Sequence, residues 1–235
     1  MSTTDGLEYL PATRDIRDVF ADEITSIGGT VPDVYDDGTR LFARAVLPAD
    51  SEVRPGDHVR AGVAVRVAGA AVCVHPYTFR QICSNGAIAA HALQTRRLER
   101  VRSTGISVPA YEASVALVDF RLAVQACASH EAFTTVANEM RSAAEVDADL
   151  FLHLLPTLTS MPDSMTERLL PLIVERFTVG RDRSAFGLLN AVTSVARDTR
   201  DPETRWRLEE LGGTMPAHLE RNPRIRPKAP ALMRA

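Results

Sequence analysis

After a lead-in that reads as a short helix near Arg14–Ile27, the spacing of apolar residues runs at a period of two and then switches to a helical period, and this switch restricts the fold more than any other feature. From Arg40 onward the runs LFARAVLP (41–48), HVRAGVAVRVAG (58–69) and AAVCVHPYTFRQICSNG (70–86) alternate at strand spacing. Pro55-Gly56-Asp57 and Gly69 separate them at hairpin distances. Asn85-Gly86 is the residue pair of a tight hairpin turn, which predicts that Ala87–Leu93 returns as a fourth strand toward the basic run RRLERVR (96–102). From about Glu112 the period becomes helical. Strands first and helices after predict an α+β fold: a small antiparallel sheet in the N-terminal half and a helical C-terminal half.

The helical half carries its own boundary signals. Ser129 is positioned to cap a helix running through Val146, and Ser164-x-x-Glu167 has the spacing of a capping box. Pro171 falls inside the second of these stretches, where it predicts a kink or a later start. Ser184–Thr199 is a further helix with Phe186, Leu189, Val192 and Ala196 on one stripe. Asp201-Pro202 opens a last helix that Gly212-Gly213 is expected to stop. These signals divide the chain into a polar lead-in (1–39) contributing little core, a β region (40–109), a helical region (110–213) and a basic Pro-rich tail (214–235).

With 45% apolar and 24% charged residues the chain has the balance of a globular protein, and no run approaches the roughly eighteen apolar residues of a membrane span. The acidic start MSTTDGLEYL does not have the form of a secretory signal, and three scattered cysteines do not make a disulfide framework. A cytoplasmic protein is expected. Its net charge of −3 conceals strong segregation: residues 1–39 carry −7, 40–109 carry +6, 110–180 carry −6 and 181–235 carry +4. All basic residues but Lys228 are arginine, whose planar guanidinium suits phosphates and stacked bases.

Local signatures of catalysis are missing. There is no G-x-S-x-G elbow, no phosphate-binding glycine loop, no dinucleotide fingerprint and no H-E-x-x-H. Cys73-x-His75, Cys83 and His91 lack the paired spacing of a zinc site. The expectation is a protein without enzymatic activity, metal or cofactor. What remains is the basic sheet. Arg60, Arg66, Arg80, Arg96, Arg97, Arg100 and Arg102 lie in or beside the strands, with Tyr77 and Phe79 between them. Cations that follow phosphates and rings that stack on bases are what a single-stranded nucleic acid requires, and alternation in 63–68 predicts one apolar face and one face bearing Arg60 and Arg66.

The segment FRQICSNGAIAAH (79–91) resembles a phage/plasmid-like family of unknown function, number nine hundred and thirty-two, at Phe79, Arg80, Cys83, Ser84, Asn85 and Gly86. AFGLLNAVTSVARDTR (185–200) is similar to that family's Asn-Ala-hydrophobic-Thr helix at Asn190, Ala191 and Thr193. The chain departs from the pattern at Val67-Ala68-Gly69-Ala70 and at Ser103-Thr104-Gly105. The resemblance implies a phage or mobile-element setting. In that setting a β-rich half followed by helices looks like single-strand annealing proteins of the Rad fifty-two type, which are oligomeric and cofactor-free. The expected function is thus single-stranded nucleic-acid binding with annealing by a homo-oligomer, with Asn85, Gly86, Asn190 and Thr193 as structural motif residues. The competing expectation is a protein-interaction or regulatory module of a mobile element in which the basic sheet meets an acidic protein surface.

Overall fold

The computed structural model describes residues 8–9, 11–69, 71–99, 101–102, 109–148 and 162–221. Strands β1 (Glu8–Tyr9), β2 (Thr30–Asp36), β3 (Leu41–Arg54), β4 (Asp57–Ala68), β5 (Ala71–Arg80), β6 (Asn85–Ile88), β7 (Arg96–Glu99) and β8 (Val101–Arg102) are joined by α1 (Thr13–Ser26) near the N-terminus. Helices α2 (Pro109–Cys127), α3 (His130–Ala144), α4 (Asp163–Gly180), α5 (Ala185–Asp198) and α6 (Pro202–Arg221) follow. The main sheet is antiparallel with strand order β2-β3-β4-β5-β6, β7 pairs with β5, and β1 pairs with β8, so the protein is α+β. The chain divides into two compact units, residues 1–50, 60–78 and 92–133 in the first and 51–59, 79–91 and 134–235 in the second.

In the first unit the segment expected to be a polar lead-in supplies core. Ile16, Phe20 and Ile24, one helical turn apart, are fully buried on α1, which packs against α2 and β2. The acidic residues dominate the average of this segment, and on α1 Asp18 and Asp22 are exposed, away from the buried stripe. β2 was not anticipated, because Pro32 and two aspartates depress its strand character. It is an end strand of the sheet order, where a proline lacking an N–H is tolerated, and its register with β3 shifts between Thr30 and Asp33, around that proline. A tight acidic turn leads from β2 into β3. Asp37 Oδ1 accepts from the backbone N–H groups of Thr39 (3.0 Å) and Arg40 (2.7 Å), with Gly38 at φ 85°.

His75 on β5 is 7% exposed, and a ring nitrogen, Nδ1, lies 3.2 Å from Thr95 Oγ1. Burial, aided by the charge of Arg66, pushes its pKa down to about 4. The folded state therefore resists protonation that the unfolded chain accepts below about 6.5. Stability fully present above that pH is lost as pH falls toward 4, by about 3 kcal/mol from this residue alone. Urea denaturation of the wild type and His75→Gln at pH 7 and pH 4.5 tests this. The acid loss should be smaller in the variant, and an equal loss would refute the assignment.

The second unit is helical around β6. α5 and α6 pack on that strand and on each other, and α4 packs on α5. Ser184 caps α5 by accepting from Gly187 N–H (3.1 Å), Asp201 caps α6 by accepting from Thr204 N–H (2.8 Å), and in the first unit Ser129 Oγ accepts from Ala132 N–H (3.2 Å) at the start of α3. Three expectations are corrected. α4 begins at Asp163 behind Pro162, so Ser164 already lies inside the first turn and forms no capping box. The helix does not start later, at Pro171, but runs through that exposed residue, with Leu169, Ile173 and Phe177 buried on one side and Leu172 45% exposed. Gly212-Gly213 do not end α6. A Cβ on Gly213 would overlap the backbone of Ile88 and one on Gly212 would press on Thr193, so the pair lets α6 approach β6 and α5 closely. Residues 214–221, assigned to the tail, continue the helix, and 222–235 lie outside the described residues.

Candidate functional site

The arginine-bearing sheet face does not form as expected. Positions opposite the valines of β4 are mostly alanine, small enough to be buried as well, and β3, β4 and β5 read as near-continuous buried runs. Their arginines are used internally. Arg44, 3% exposed, pairs with Asp33 across the β2–β3 register at 3.1 Å. Arg60 Nε donates to the Leu47 carbonyl (3.0 Å), and the half-buried Arg66 guanidinium lies 6.0 Å from the Phe42 ring centroid. Tyr77 is 4% exposed, which removes it as a surface stacking platform. The exposed members are Arg96 and Arg97, consecutive on β7 and opposite Val74 and Cys73 of β5. Arg96 Nη1 donates to the carbonyls of Leu93 (2.8 Å) and Thr95 (3.0 Å), beside the 90% exposed side chain of Leu93. Arg100 and the side chain of Arg102 lie outside the described residues.

In the second unit, Phe79 and Arg80 end β5 half-buried. Arg80 forms a two-pronged ion pair with Asp57, Nε to Oδ1 at 2.8 Å and Nη2 to Oδ2 at 2.6 Å. Its guanidinium also lies 5.6 Å from the Phe186 ring centroid, and that of Arg54 lies 5.8 Å from the same centroid. Arg54 pairs with Asp182 (2.6 Å) and donates to the Ala144 carbonyl. Burial opposes the charge on Arg80, but the hydrogen bonds and charge of Asp57 outweigh it and hold its pKa above the ordinary value. Burial likewise opposes ionisation of Asp182, and hydrogen bonds from Ser184 and Arg54 outweigh it, so its pKa is lowered. Two opposite-charge pairs thus bracket one aromatic ring.

The turn after β5 is fixed by the same group. Cys83 Sγ accepts from Arg80 Nη1 (3.2 Å), the Cys83 carbonyl accepts from Arg197 Nη1 (2.6 Å), and Ser84 adopts φ 50°. Asn85-Gly86 is not this turn. The pair opens β6, and Asn85 is 3% exposed. Its Nδ2 donates to Thr193 Oγ1 and toward the Asn190 carbonyl (3.4 Å) on α5. The two sequence motifs, more than a hundred positions apart, therefore meet side chain to side chain. The family resemblance singled out the motif residues, and the sequence reading missed Arg54, Asp57, Asp182 and Phe186 as their partners. Asp57 reads as a turn residue in Pro55-Gly56-Asp57, and only its burial opposite a cation reveals its part. Among the described residues no three His, Cys, Asp or Glu side chains gather as a metal site, and no helix is long and apolar enough to cross a membrane.

Comparison with family models, with curated proteins and with solved structures finds no match.

Proposed function

We propose that the chain is a cofactor-free protein of a phage or mobile element that binds single-stranded nucleic acid in the cytoplasm and self-associates, with strand annealing as the activity this serves. The ligand is held by the edge formed by Arg96 and Arg97, not by the buried sheet face. The observation that carries this reading is the pair of consecutive exposed guanidinium groups on β7, within the +6 block of the sequence. Two phosphates neutralised there release counterions, so affinity falls as salt rises. Labelled single-stranded DNA titrated by fluorescence anisotropy at several salt concentrations should show this. Arg96→Ala with Arg97→Ala should weaken binding tenfold or more at low salt and reduce the salt slope by about 2. Absence of binding at low salt, or binding indifferent to both substitutions, refutes the reading. Arg80→Ala is not a suitable probe, since Arg80 is committed to Asp57.

A protein-interaction module without nucleic-acid binding is the second reading. It is favoured by Val115, Val118 and Leu122, 43%, 54% and 58% exposed, which form a stripe at i, i+3 and i+7 along α2. Self-association measured by sedimentation and abolished by Val118→Glu, in a protein that binds no nucleic acid, supports it.

A further inference from the structure

We infer that Leu93 is the base-contacting residue of the β7 edge: its side chain lies against the face of an unpaired base while the adjacent guanidinium groups hold that strand's phosphates. This role rests on the nucleic-acid reading and adds what the two arginines cannot supply, a preference for single strands. An exposed leucine alone carries little information. What distinguishes Leu93, 90% exposed, is the turn that presents it. Thr95 N–H donates to the Ala92 carbonyl (2.9 Å) and closes the turn, with Ala92 buried at its base. The Gln94 carbonyl accepts from Cys127 Sγ on α2 (3.1 Å), and Thr95 Oγ1 lies 3.2 Å from the ring of buried His75 on β5. Arg96 Nη1 donates to the Leu93 carbonyl itself (2.8 Å). The residues around Leu93 are thus tied to buried elements, and its apolar side chain is held out in water beside a cation.

The size of this apolar group decides among partners. A protein interface buries about 800 Å² on each side, far more than one side chain supplies. A membrane is not held by one short apolar group either, since even a whole myristoyl chain gives marginal binding. A base face is matched in size by one leucine, and single apolar side chains of this kind seat between bases. The arginines beside it suit the phosphates of the same strand. Charge alone favours the opposite ligand, because a duplex has the denser phosphates and releases more counterions per contact than a single strand. Its base faces, however, are stacked on one another and closed to Leu93. Selection of single strands therefore falls to the leucine.

The test uses the full chain and one labelled oligonucleotide prepared as a single strand, as a duplex and as a strand of abasic sites. Leu93→Ser should weaken binding of the single strand about tenfold, the effect of exposing a leucine that a base had covered. Duplex affinity and the salt slope should stay unchanged. On the abasic strand the wild type and Leu93→Ser should bind equally. Leu93→Trp should keep single-strand binding, and the single strand should quench its introduced indole above the background of the one native tryptophan, Trp206, which is 2% exposed. Circular dichroism should be the same for all variants, and Leu93→Ala provides the same readout if the serine variant misfolds. Single-strand binding that is lost with Arg96→Ala and Arg97→Ala but indifferent to Leu93→Ser overturns the inference and leaves the nucleic-acid reading standing. Absence of any binding at low salt overturns both. Loss of sedimentation with phosphatidylserine vesicles in Leu93→Ser, with strand affinity unchanged, overturns the inference in favour of a lipid surface.

Discussion

Replacing Asp57 by alanine is expected to destabilise the protein by about 3–5 kcal/mol, the range for removing one partner of a buried ion pair. The Asp57 and Arg80 side chains are only 12% and 19% exposed, and the two hydrogen bonds between them supply the carboxylate that the guanidinium needs. Without it, Arg80 keeps a sulfur acceptor, the face of Phe186 and the attraction of Asp182, whose carboxylate is already paired with Arg54. The loss should come from the stranded cation more than from the missing attraction. Arg80→Met in the Asp57→Ala background should then restore most of the stability, because no charge remains to be desolvated. Guanidinium denaturation of the two single variants and the double variant decides the matter. A double variant as unstable as the sum of the singles would show that the pair acts through packing alone.

Gly213→Ala should cost about 3 kcal/mol, although helix propensity predicts the opposite sign. In an exposed helix interior, alanine in place of glycine gains about 1 kcal/mol. At position 213 the added Cβ meets backbone atoms of Ile88, and backbone cannot rotate aside as a flexible side chain does. The α6–β6 contact must open, which loosens packing around Ile88 and Leu208, both fully buried. Gly212→Ala meets a side-chain methyl of Thr193 and should be milder, although a displaced Thr193 also disturbs its bond with Asn85. Thermal unfolding of the two variants ranks them. Equal or increased stability of Gly213→Ala would show that the close approach is not real.

Much of the architecture was legible because each element announces itself locally. The alternation in 41–48 and 58–69 gave β3 and β4, and Ser129 and Asp201 marked helix starts by side-chain chemistry that needs no distant partner. What misled was every residue whose meaning lies across space. Gly212-Gly213 have the composition of a stop and serve as a contact surface for β6, a strand more than 120 positions away. Asn85-Gly86 have the composition of a turn, but Asn85 is drawn into a strand by Thr193. The arginines of β3 and β4 look like a charged face only while their partners, Asp33 and the Leu47 carbonyl, are unknown. The candidate site was half visible: its motif residues were flagged from sequence, and the acidic and aromatic residues that hold them were not.

The path of the chain between its two units has a practical consequence for dissecting them. The backbone passes from one to the other at 50/51, 59/60, 78/79, 91/92 and 133/134, so strands β3, β4 and β5 each contribute residues to both. No single cut yields two whole pieces. A fragment beginning after residue 133 would carry α4, α5 and α6 but lack β6, and with it Asn85 and Ile88, the partners of Thr193 and Gly213. Deletion mapping, the usual first tool for assigning an activity to part of a protein, would register a folding defect as loss of function. Roles in this chain have to be assigned by point substitution in the intact polypeptide, and the two activities proposed for it are best separated in that way.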